Sequence, residues 1–180
     1  QFAWQQRTSC PNNKIIAIAS ADPAVLGLLI SRPFELWIVR WGGRLKADLH
    51  FTPTTVFETF PFPPAGATAA RAAIGEAADA LIARRSELCL TGTDRPIGLT
   101  KLYNAVDEGA FRDLSNLHRR LDQAVLTAYG WPHSLATPSP DHDRDILRRL
   151  YERGQALAAG AEPDYEAFPL AAEHGTTPLF

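Results

Sequence analysis

Residues 50–64 read HFTPTTVFETFPFPP, with four phenylalanines and four prolines in one short stretch. A proline has no backbone N–H and fixes its own φ, so Pro61, Pro63 and Pro64 exclude this stretch from the middle of a sheet or helix. The preceding TTVFETF (54–60) alternates β-branched and aromatic residues, which predicts a half-buried extended segment. An apolar stretch is thus pinned to a surface, and the chain then leaves in a new, stiffened direction.

That exit divides the sequence. In residues 1–64, KIIAIAS (14–20) is a short apolar run, most simply a buried strand. Asp22-Pro23 is a helix start, a capping oxygen followed by a proline at the first helical position. Val25, Leu28, Leu29, Leu36 and Val39 keep a helical period, and Pro33 interrupts it, so one kinked helix or two short ones are expected between Pro23 and Trp41, closed by Gly42-Gly43. RLKADLHF (44–51) reads as extended.

Residues 65–134 change character. The alanine-rich stretch 67–90 carries Ile74, Ala77, Ala78, Leu81 and Leu88 on one stripe, with Arg71, Glu76, Arg84 and Glu87 off it. LTKLYNAVDEG predicts a short helix closed by Gly109. Phe111, Leu114, Leu117, Leu121, Val125 and Ala128 predict a long one ending at YGWP. Three helices with short connections imply a small antiparallel bundle. Residues 135–180 hold a proline-rich linker, one helix around 143–159 with Ser139-Pro140 as its start and Ile146, Leu147, Leu150 and Tyr151 as its apolar face, and a loop-like tail. The expected fold class is α+β, mostly α.

The chemistry is mostly defined by exclusion. There is neither a dinucleotide-binding glycine fingerprint nor a phosphate-binding loop. Asp141-His142-Asp143 stands at a helix start, where acidic residues are favoured electrostatically, and is read as solvated rather than metal-binding. His118 borders an apolar stripe and is read as structural. Ser31, Ser86 and Ser115 lack the glycines of a nucleophile elbow. Pro63-Pro64 lacks both the preceding asparagine and the following aromatic residue with which amino-methylating enzymes hold a target amine. Cys10 and Cys89 are taken as ordinary structural thiols. No catalytic, cofactor or metal residue is assigned. No apolar run reaches membrane-spanning length. The sequence opens on Gln1 and contains no methionine, and QFAWQQRTSC starts without a cap or turn signal, so a piece of a longer chain is expected.

Two segments carry a family resemblance. LGLLISRPFELWIVRWGGRLKADLHFTPTTVFETFPFP (26–63) resembles the end of the target-recognition domain of large single-chain adenine DNA methyltransferases of the MmeI-like, type IIL restriction-modification group. GLTKLYNAVDEGAFRDLSNLHRRLDQAVLTAYGWP (98–132) looks like the helical domain that closes those chains. The resemblance runs from about Phe2 to Tyr151. It implies that residues 1–64 are the last part of a mixed α/β target-recognition domain, residues 65–134 the helical domain, and residues 135–180 a linker, helix and tail. It further implies double-stranded DNA as partner, together with a methyltransferase domain upstream in the same bacterial, cytoplasmic chain. There S-adenosylmethionine would be bound and its methyl group transferred to the exocyclic amine of a flipped adenine. Many such enzymes also carry a nuclease domain. None of those catalytic segments lies in these residues.

Under this resemblance, Arg7, Asn12, Asn13 and Lys14 form one DNA-facing group, in a loop-like stretch with donors for phosphates or base edges. Arg44, Lys46, His50, Thr52, Thr54 and Thr55 form a second. In one uninterrupted strand Arg44, Lys46 and His50 would share a face, with Leu45 and Leu49 opposite, a polar face over a buried one for which a merely solvated strand face is the competing reading. Phosphate contacts outnumber base contacts in such interfaces, so each is expected first to position and only then to specify. A different class of function is a protein-interaction helical module, or a separate specificity subunit of a phage-defence complex. An exposed apolar groove would favour it, whereas a basic face over the extended segments favours DNA.

Overall fold

The computed structural model describes residues 2–4, 16–45, 48–91, 97–161 and Phe168, with the backbone alone at 44, 45, 48–50 and 91. Six α-helices dominate the described residues. α1 (Pro23–Ile30) and α2 (Arg32–Trp41) precede a hairpin of β1 (Gly43–Leu45) and β2 (Asp48–His50). A π-helical turn at Pro53–Phe57 follows, then α3 (Thr68–Thr91), α4 (Leu99–Asp107), α5 (Arg112–Tyr129), a 3-10 turn at His133–Ala136, and α6 (Pro140–Ala158). The chain is mostly α. The β contribution among the described residues is this one antiparallel hairpin.

The punctuation of the sequence explains most boundaries. Asp22 caps α1 by accepting from the Ala24 N–H at 2.7 Å, with Pro23 at the first helical position. The predicted interruption falls at Ser31, whose extended backbone separates α1 from α2. Ser139 caps α6 through the His142 N–H at 3.1 Å, so this helix begins at Pro140, at the Ser139-Pro140 start that the sequence indicates. Gly130 ends α5 at φ 69°, a left-handed conformation that glycine adopts without steric cost.

Four expectations are corrected. KIIAIAS does not form a strand among its described residues 16–20. Ile16 is 46% exposed, Ile18 is only partly buried, and Ser20 N–H turns back to the Ile18 carbonyl at 3.0 Å. TTVFETF is not extended. The Thr52 carbonyl accepts from Val56 N–H at 3.0 Å and the Pro53 carbonyl from Glu58 N–H at 3.0 Å, so the chain coils. Val56 and Phe60 are buried at a spacing of four, a helical period that the alternation of residue types concealed. The break at Ser31 also resets the helical phase, so α2 buries Pro33, Phe34 and Trp37 while Val39 is 48% exposed. Finally, Tyr151 stands outside the apolar face of α6 at 53% exposure, while Ile146 and Leu150 are buried.

One hydrophobic core runs through the chain, from Ala24 and Leu28 of α1 and Phe34 of α2, through Phe60, Phe62, Ile74, Leu81, Leu114 and Leu121, to Leu150 and Phe168. α3 is its axis, packed on α1 and on α5. The contact with α1 is close because residue 27 is glycine: a Cβ there would lie 2.7 Å from Ile74 Cγ2 and 3.2 Å from the Ile74 carbonyl oxygen. The predicted stripe of α3 is the buried one, with Ile74, Ala78, Leu81 and Leu88 inside. No helix among the described residues is long and apolar enough to cross a membrane.

Candidate nucleic-acid interface

The proline-rich exit is an aromatic cluster with two polar clamps. Phe34 meets Phe60 edge-on at 4.8 Å between centroids, Phe60 meets Phe62 at 4.8 Å, and Phe51 and Phe2 pack on Phe34 at 6.3 and 5.8 Å. Trp37 stacks on Trp41 at 4.0 Å and faces Phe60. Such offset and edge-on pairs add to the effect of burial because ring edges are positive and faces negative. Two carbonyls of the exit are held by the distant helical part: Tyr129 Oη donates to Pro61 O at 3.0 Å, and Arg153 Nε donates to Phe62 O at 3.1 Å. The phenylalanines are therefore packing residues, and the carbonyls of the proline passage accept from side chains of α5 and α6.

The second group of candidate residues lies beside this cluster in the chain, between Trp41 and Phe57. Gly43–Leu45 pairs with Asp48–His50 in the register Gly43–His50, Arg44–Leu49 and Leu45–Asp48. The expected uninterrupted strand is thus replaced by a hairpin. Directly opposed residues of an antiparallel ladder share a face and successive pairs alternate, so Arg44 and His50, in neighbouring pairs, occupy positions of opposite faces. The reading that placed both on one polar strip is corrected accordingly. Thr52 precedes the π-helical turn and is half-buried, its carbonyl engaged in starting that turn. Thr54 and Thr55 are exposed on the turn, held over the buried Val56. Arg7, Asn12, Asn13, Lys14 and Lys46 lie outside the described residues, as does Cys10.

Residues the sequence did not single out fix this region to the helices. Arg32, first residue of α2, donates through Nε and Nη2 to the Asp143 carboxylate at 2.8, 2.6 and 2.7 Å. Its backbone N–H, unpaired within the helix, donates to Asp122 Oδ1 of α5 at 2.9 Å. Ser31, the residue before it, makes no side-chain cap, and its hydroxyl instead donates to the Leu28 carbonyl at 2.7 Å. Asp122 is only 8% exposed. Burial raises its carboxyl from 3.8 to about 7, against the opposing hydrogen bond and charge of Arg32. On the other side of α1, Arg71 of α3 binds the Asp22 carboxylate through Nε at 2.7 Å, donates to the Phe168 carbonyl at 2.6 Å, and lies 4.5 Å over the Phe168 ring. The tail is therefore tethered at Phe168, which is fully buried.

The residues considered for catalysis have other occupations. His118 Nε2 shares a hydrogen bond of 2.8 Å with Tyr103 Oη, and burial, aided by the Arg85 charge, pushes its pKa down to about 4. Asp143 is engaged with Arg32, Asp141 pairs with Arg144, and His142 Nδ1 meets the Thr137 carbonyl at 2.7 Å. Among the described residues no cluster of three metal-binding side chains occurs.

Residues 2–64 match the family described as MmeI, target recognition domain. DNA methyltransferase A of Bacillus subtilis (strain 168) is 30% identical over 141 residues, which is 78% of this chain and 15% of that protein. A solved structure of the type IIL restriction-modification enzyme MmeI in complex with DNA superposes with a TM-score of 0.63 at 28% identity, over 78% of this chain and 17% of that one. The chain is thus related to the DNA methyltransferases of restriction-modification systems. Within them it is similar to the type IIL enzyme MmeI, and residues 2–64 correspond to the MmeI target recognition domain. The chain spans less than a fifth of the length of either relative.

Proposed function

We propose that this chain is the DNA-recognition and bracing portion of a site-specific adenine DNA methyltransferase. Its partner is double-stranded DNA, and the methyl transfer is carried out by another domain of the same cytoplasmic protein. The observation that supports this most directly is that the segment matched by the target-recognition family carries both the hairpin and the exposed Thr54 and Thr55, on a turn whose Val56 and Phe57 pack into the core. S-adenosylmethionine is the methyl donor in this reading. The residues present do not fit it, having neither a donor-binding glycine fingerprint nor an asparagine before Pro63-Pro64, so the donor belongs to that other domain. In this reading Arg44, Lys46 and His50, together with Arg7, Asn12, Asn13 and Lys14, supply cations and donors for phosphates. Thr52, Thr54 and Thr55 supply short hydroxyl contacts. The helical part acts as scaffold, gripping the duplex partner indirectly by holding the recognition segment while an adenine is unstacked.

The test is DNA binding by the full-length protein carrying Arg44→Ala or Lys46→Ala. Removing one phosphate-neutralising cation lowers the slope of log affinity against log salt by about 0.9. Both variants are expected to bind more weakly and with flatter salt dependence. Unaltered affinity and slope in both would remove these residues from the interface.

A further inference from the structure

We propose that Arg32, with Asp143 and Asp122, is a positioning device for sequence reading: it sets the angle at which α2 presents the hairpin to DNA. The inference rests on the functional reading above. α2 packs on α6 and leads directly into the hairpin, since β1 begins two residues after Trp41. Its first residue is held at both ends of its own structure, the backbone N–H by Asp122 of α5 and the guanidinium by Asp143 of α6. Two carboxyl groups from different helices thus fix both the position of the helix end and its rotation about its axis. The forked geometry of arginine is what a carboxylate can hold in a single orientation, and a lysine ammonium cannot reproduce it. α2 has ten residues, so its far end lies about 14 Å from this clamp. Over that length a tilt of roughly 5° at the base shifts the hairpin by about 1 Å, enough to take a side chain out of hydrogen-bond range of a base edge. Phosphate contacts through long, flexible side chains tolerate such a shift better. The clamp therefore acts on discrimination between sequences more than on total affinity.

The test uses the full-length protein with Arg32→Lys and, separately, Asp143→Asn, the latter keeping the shape of the side chain. Each is equilibrated with a randomised duplex library, and bound sequences are read out. Affinity for one fixed duplex lacking the selected site is measured across salt, and thermal unfolding is followed in parallel. The expected result is about tenfold lower preference for the selected site in each variant, with the fixed-duplex affinity and its salt slope unchanged. The double variant should lose no more than the worse single one, because both break the same clamp. Undiminished site preference in a folded Arg32→Lys or Asp143→Asn protein would overturn the proposal. So would a proportional loss of fixed-duplex affinity. Failure of the unaltered protein to bind any duplex would instead overturn the functional reading itself, and this inference with it.

Discussion

At the scale of single residues, two ionisable groups, the buried Asp122 and the half-buried His118, give the protein opposing responses to pH. Asp122 keeps its proton to about pH 7 in the fold, whereas in the unfolded chain it releases it near 3.8. Its contribution to stability is therefore full below 3.8 and declines as the pH climbs to about 7. His118 behaves inversely: the unfolded chain takes up a proton below 6.5 that the fold refuses until about 4. Its contribution is full above 6.5 and is lost as the pH falls toward 4. Between about pH 4 and 6.5 the two slopes cancel in large part. Asp122→Asn is expected to expose the histidine's slope, so that the variant gains stability relative to the parent protein as the pH rises from 4 to 7. Urea unfolding at a series of pH values measures this. A constant difference between the two proteins across that range would show that Asp122 does not titrate in the fold as its burial requires.

At the scale of elements, the close approach of α1 to α3 depends on the absence of one methyl group. Gly27→Ala would place a carbon against Ile74 Cγ2 and also against the Ile74 backbone, and the backbone cannot move aside as a side-chain tip can. A loss of about 1–3 kcal/mol is expected from overpacking, even though alanine is the better helix former. Chemical denaturation reads it, and a Gly27→Ala protein as stable as the parent would mean that α1 sits further out. The sequence announced this pairing only in part. Helix ends were legible because caps act locally: Asp22 and Ser139 each satisfy an N–H two or three residues away. The stripe of α3 was legible because many apolar residues repeat a single period. The phase of α2 was not, since Ser31 restarts the helix and moves burial from Val39 to Phe34 and Trp37. The threonine turn was missed for a related reason. Val56 and Phe60 satisfy strand and helix periods alike, and the hydrogen bond from Glu58 to the Pro53 carbonyl decides between them. Of the proposed interface, sequence reading found the charged candidates but not Arg32, Asp122, Tyr129 or Arg153. Their partners lie 68 to 111 residues away, beyond the reach of any local pattern.

At the scale of the whole molecule, the core is continuous across residue 64. α1 packs on α3, the aromatic cluster is held by α5 and α6, and Phe168 closes over Arg71. A chain built this way is expected to unfold in one cooperative step. Far-ultraviolet circular dichroism, which follows the helices, should share its thermal midpoint with tryptophan fluorescence, to which Trp37 and Trp41 of the recognition segment contribute. Separate midpoints would mean that the recognition segment melts independently of its brace.

The hold of Tyr129 and Arg153 on the carbonyls of Pro61 and Phe62 has a practical corollary for anyone exchanging recognition segments between relatives. A chimera joined at residue 64 would import a foreign proline passage onto donors shaped for the native one. Grafts that carry matching residues at positions 122, 129, 143 and 153 should keep the transplanted reader correctly aimed, whereas grafts cut at the apparent border should fold yet lose their aim.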